Sequence, residues 1–148
     1  MARRPARYSS TGLDVEPVIR LWLLRILVKL GGQRQFIRSN GFNDDTLAEL
    51  LGLGRWVDPS PHDFDMKAVQ SELRQLHQKA EKQWADASLP ACLSSNVGRL
   101  SSLVGLSPID CRILEFAVTI RNERVLDDTT DWLGQLSSVK VFQALSVI

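Results

Sequence analysis

The apolar run VIRLWLLRILVKL, Val18 to Leu30, covers most of the circumference of a helix and is broken only by Arg20, Arg25 and Lys29. Asp14, Glu16 and Pro17 suit its first turn, where free N–H groups favour acid and proline gives up no hydrogen bond. Gly31 and Gly32 stop it. This pattern predicts a central core helix in which Trp22 packs rather than binds a ligand. Further on, Asn43 is expected to cap a short helix in DDTLAELLGLG, with Leu47, Leu50 and Leu51 on one face and Gly52 as the C′ residue. From Asp65 to Trp84 the apolar residues Met66, Val69, Leu73, Leu76, Ala80 and Trp84 recur among Gln, Lys, Arg, Glu and Ser. So narrow a stripe fits one neighbour, which makes this helix either an outer arm or a coiled-coil seam for a second copy.

Past a joint at Pro90, Ser95 or Asn96 is expected to cap a helix carrying Val97, Leu100, Leu103 and Val104, with Gly105 and Leu106 as a Schellman stop. SPID, Ser107 to Asp110, has the serine, proline and acid of a capping box. It opens a helix that is apolar nearly all round to Ile120 and is therefore expected to be buried. Asp127 or Asp128 should cap a short helix containing Trp132 and Leu133, followed by a turn at Gly134–Ser137 and a second helix to Ile148. That close has a helix-turn-helix shape. RWVDPSPHDFD reads as a loop or hinge, because Pro59 and Pro61 forbid regular hydrogen bonding. With no β-rich alternating run, the expected fold is all-α. It is a compact multi-helix domain over 13–148 with no sheet, divisible at the joint into 13–86 and 87–148, behind a flexible basic arm at 1–12.

Composition agrees with a folded domain: 44% of the 148 residues are hydrophobic and 24% charged. Charge adds a polarity. Residues 1–40 hold eight Lys/Arg against two acids, a balance of +6, while the remainder carries ten against fifteen, or −5. A basic front marks Arg3, Arg4 and Arg7 as candidate contacts for an anionic or protein partner. Cys92 and Cys111 form neither a C-x-x-C nor a zinc spacing. The Val18–Leu30 run is too short and too charged to span a bilayer, and no export signal is legible. These features place the chain in the cytoplasm.

Catalytic patterns are missing from the sequence. There is no Walker loop, G-x-S-x-G or H-E-x-x-H, and the glycines of KLGGQ, LLGLG and LVGLS follow helices instead of opening them. His62 and His77 lie far apart and read as solvated side chains. Asp127, Asp128 and Asp131 lack the spacing of a calcium loop. The last helix offers a duplex only Lys140 and Gln143 among apolar residues, so the helix-turn-helix shape is read as packing. No metal or cofactor is expected in this chain. Exposure logic adds Trp56, His62 and Phe64 of the proline loop, and Lys67 and Arg74 on the polar face of the following helix, as candidate partner contacts.

The stretch from Asn96 to Ile148, together with RLWLLRILVKLGGQRQFI, resembles the N-terminal region of a group of bacterial AAA+ ATPases. That resemblance implies a helical, non-catalytic recognition or assembly domain. It would stand before a ring-forming P-loop module that uses ATP and Mg²⁺ to remodel a protein partner. No ATPase element is present here, so no nucleotide-binding residue can be carried over. Because the chain stops at Val147 and Ile148 within an apolar helix, a downstream ATPase module is the expected continuation and neighbour. The alternative expectation is a nucleic-acid-binding regulator that uses the basic front and the helix-turn-helix.

Overall fold

The structure, a computed structural model, describes residues 16–58, 60, 63–133 and 146. Its centre is α1 (Glu16–Val28), in which Leu23, Ile26 and Leu27 are fully enclosed and Val18, Leu21, Trp22 and Leu24 nearly so. A helix apolar on all sides must be surrounded. The long helix α4 (Met66–Gln83) lies along it, and α3 (Asp45–Leu51) and α7 (Arg124–Asp131) also pack on it.

After Gly31, with φ at 82°, the chain forms α2 (Gln33–Phe36) and a minimal antiparallel ladder of β1 (Ile37–Arg38) and β2 (Gly41–Phe42). Ile37 faces Phe42, and Arg38 faces Gly41. The expectation of no sheet is corrected by this ladder. Two residues per strand are too few to show alternation, yet they suffice to turn Ile37 and Phe42 into the core and leave Arg38 outside.

Asp44, not Asn43, caps α3. Asp44 is extended and its carboxylate accepts from the Leu47 N–H at 2.9 Å. Asn43 instead ties down the hairpin, its side-chain amide donating to the Gln35 carbonyl at 2.9 Å and its backbone N–H to that of Phe36 at 2.8 Å. Asp44→Ala is expected to lower stability by about 1 kcal/mol in urea unfolding, within the usual range for a lost cap. A comparable loss from an Asn43→Ala change and none from Asp44→Ala would reverse the assignment. Gly52 closes α3 in the left-handed region, as expected. A 3₁₀ turn, Gly54–Trp56, follows.

Asp65 caps α4 by accepting from the N–H groups of Lys67 and Ala68. The narrow stripe is spent inside the molecule: Val69, Leu73 and Ala80 are buried in the core beside α1. The same face carries His77, 8% exposed, which corrects the expectation of a solvated histidine.

The helix α5 (Ala91–Val104) begins at Ala91, one turn before Ser95 and Asn96, so neither of those caps it. The Pro90 carbonyl accepts from Leu93 and Ser94, and the turn forms without a side-chain cap. Gly105 ends it at φ 72°. Ser107 and Asp110 complete the expected capping box of α6 (Pro108–Asn122). The expectation that α6 is buried fails. Its second half reaches the core through Phe116, edge-on to Trp22 at 5.5 Å, and through Thr119 and Ile120; its first half lies against α5, outside the core.

Asp127 and Asp128 do not cap the next helix but lie within it. The break falls at Glu123, whose extended backbone ends α6 and whose carbonyl accepts from Leu126 and Asp127 to start α7. Leu126 and Thr129 are buried against the core, while Trp132 and Leu133 follow the last helical turn. The second helix of the expected helix-turn-helix lies outside the described residues, as do the 1–12 arm and His62.

Candidate functional site

Two surfaces of this fold are unusual, and each arises from how a helix is seated. The first belongs to α4. Because Val69, Leu73 and Ala80 face inward, helical phase turns Lys67, Ser71, Arg74, Gln75, Gln78 and Lys82 to the opposite side, with Lys79 beside them; all seven are exposed. The helix has two carboxylates, one at each edge of that side, Glu72 in phase with Lys79 and Glu81 with Arg74, and both are engaged by side chains from other parts of the chain. Glu72 lies on one flank, where its Oε2 accepts from the Arg55 guanidinium and, at 2.8 Å, from Trp56 Nε1. Glu81 lies on the other flank and accepts from Arg25 Nε and Nη2 at 2.9 and 2.8 Å, with Lys29 Nζ at 3.0 Å and His77 Nε2 at 3.1 Å.

The electrostatics of the second flank are well marked. Hydrogen bonds from Arg25, and then from Lys29, pull the Glu81 carboxyl down to about 2. Burial lowers His77 from its ordinary 6.5 despite the opposing pull of Glu81. The imidazole is thus kept neutral beside a carboxylate kept ionised. The Arg25–Glu81 ion pair joins α1 to α4 at the helix flank, and the outward side of α4 is left with hydrogen-bond donors and positive charge.

Two expected contacts, Trp56 and Phe64, are brought together, but within an aromatic row. Trp56 meets Phe64 edge-on at 6.1 Å, Phe64 meets Phe42 at 5.7 Å, Phe42 stacks on Phe36 at 4.8 Å, and Phe36 stacks on Trp132 at 5.6 Å. Both loop residues are half-buried. Lys67 and Arg74 stand together on the open face of α4, joined by Lys79 and Lys82, which sequence reasoning passed over. Arg3, Arg4, Arg7 and His62 lie outside the described residues.

The second surface is the free end of the α5–α6 hairpin. Leu103 is 82% exposed, Ile109 66%, Val104 61%, Leu100 41% and Ile113 38%. Five large aliphatic side chains are thus exposed within one helical hairpin, and exposed apolar surface gathered in one place marks an interaction site. The same two helices carry Arg99, Asp110, Arg112 and Glu115, two charges of each sign.

Among the described residues, no group of three or more His, Cys, Asp or Glu side chains is arranged to hold a metal ion. Cys92 and Cys111 are free thiols. No described helix is long and apolar enough to cross a membrane. No protein-family model, curated protein or solved structure matches the chain.

Proposed function

We propose that this chain is a non-catalytic helical recognition and assembly domain that works by protein–protein contact through the α5–α6 hairpin. The exposed aliphatic face of that hairpin carries the reading. Burying apolar surface is worth roughly 25 cal/mol per Å², so covering it drives association. The occupant is a second copy of the chain. The hairpin's charges of both signs suit this choice, because Arg99 and Arg112 of one copy can face Asp110 and Glu115 of another without net repulsion.

The wider setting, a bacterial AAA+ ATPase whose downstream module would bind ATP and Mg²⁺ and remodel a protein substrate, rests on the sequence resemblance. The hairpin supports assembly, the part of that role which this chain can perform by itself.

Sedimentation equilibrium across micromolar to millimolar concentrations tests it. The wild-type chain is expected to self-associate. Leu103→Asp is expected to remain monomeric with unchanged far-UV circular dichroism, since a side chain so exposed contributes little to the fold. A wild-type monomer at the highest concentration would refute self-assembly and leave the face to a different protein or to residues 134–148. Association unaffected by Leu103→Asp would place the interface elsewhere.

A further inference from the structure

We propose that the outer face of α4 is a binding surface for the phosphate backbone of duplex nucleic acid. This goes beyond assembly and is independent of it, because the two surfaces share no residue. Lys67, Arg74, Lys79 and Lys82 are spread over sixteen residues of one helix, about 22 Å from first to last at 1.5 Å per residue. Gln75 and Gln78 fill the intervals with further donors. Among the described residues none of the four cations is paired with a carboxylate. Outside the helix, the nearest acids in sequence, Asp63, Asp65 and Asp86, lie beyond its two ends, and Asp65 is engaged as its cap.

What makes the face selective is the engagement of Glu72 and Glu81 at its flanks. Had either carboxylate been free, it would neutralise a lysine and repel a phosphate. Each is held by cations from another part of the chain, Arg55 on one flank and Arg25 and Lys29 on the other. The molecule has a net charge of only +1, yet this helix presents an uninterrupted positive stripe. An acidic protein is a poorer match. Protein interfaces deplete lysine and centre on aromatic or aliphatic anchors, and the stripe has three lysines and no anchor. Single strands are a poorer match too, because they need aromatic platforms for their bases. A convex helix bearing Lys, Arg and Gln suits the width of a duplex major groove and the phosphates along it.

The test is fluorescence anisotropy of the full chain with a labelled duplex over a series of salt concentrations. With four phosphates neutralised, the log–log slope of affinity against salt should be near −3.6, at about −0.9 per contact. Lys79→Gln should reduce its magnitude by about one. The quadruple change of Lys67, Arg74, Lys79 and Lys82 to Gln should abolish binding with unchanged circular dichroism, and Gln75→Lys should strengthen binding and steepen the slope. Two duplexes of unrelated sequence should bind alike. No binding at low salt overturns the proposal. So does binding that survives the quadruple change, or that is lost only when Arg3, Arg4 and Arg7 become Gln, which would move the site to the arm. Equal affinity for a single strand, or tighter binding of polyglutamate, would likewise reject the duplex, the latter in favour of an acidic protein partner. Should the quadruple variant misfold, the slopes of Lys79→Gln and Gln75→Lys decide the matter; a slope unchanged in both overturns it.

Discussion

Leu23→Ala is expected to destabilise the protein by about 2–5 kcal/mol, the range for removing a fully buried leucine and leaving a cavity. Leu23 is 0% exposed at the middle of α1, and residues of α1, α3, α4 and α7 enclose the same core. With neighbours on every side, no single element can close the gap without disturbing the others. Against a total stability of about 5–15 kcal/mol, the loss should appear in urea unfolding as a large drop in midpoint with little change in slope. Leu103→Ala on the hairpin should change the stability of the monomer by less than about 0.5 kcal/mol. Similar effects at the two leucines would remove α1 from the centre of the fold.

Glu81→Gln is expected to cost about 1–3 kcal/mol at neutral pH, because the hydrogen bonds from Arg25 lose their ionised acceptor at Glu81 in a partly buried setting. The side chains of Arg25 and Glu81 are 16% and 27% exposed, so solvent screening keeps the loss below that of a fully enclosed pair. The pH dependence follows from the two groups. Glu81 titrates at about 2 in the folded protein against an ordinary 4.5. The unfolded chain therefore takes up its proton first on acidification, and the stabilisation is complete above about 4.5 and lost as pH falls towards 2. His77 is depressed below 6.5; the unfolded chain again binds the proton first, so stability starts to decline as pH falls through that value. Urea unfolding of wild type and Glu81→Gln at neutral pH and at about pH 3 should show the gap between them narrowing in acid. A constant gap would mean that Glu81 acts through packing alone.

Local chemistry was readable from the chain where it is self-contained. The Ser107–Asp110 box, the left-handed Gly52 and Gly105, and the inward stripe of α4 each depend on residues a few positions apart. The Ile37–Phe42 ladder was too short to carry a period. The α5 start was misplaced because serine and asparagine are good caps, whereas Pro90 opens the helix with backbone groups alone. For α6, an apolar circumference said only that the helix prefers cover. Whether cover exists is a tertiary matter, and for Ile109 it comes neither from α5 nor from the core. The α4 face was half-visible: Lys67 and Arg74 were singled out, but two glutamates on the same helix disguised a donor-only side. Their engagement depends on Arg25 and Arg55, 56 and 17 positions away from their partners.

The four tryptophans also form a set of built-in optical reporters at four different places in the fold. Trp22 lies against Phe116 where α6 meets α1, Trp84 under the Arg20 guanidinium where α4 ends, Trp56 against Glu72, and Trp132 on Phe36 where the chain leaves α7. Their surroundings differ in kind: aromatic edge, cation, carboxylate and stacked ring. Loosening any one joint changes the quenching and polarity around one indole first. Variants that keep one tryptophan at a time are expected to report these four places separately, with no added label.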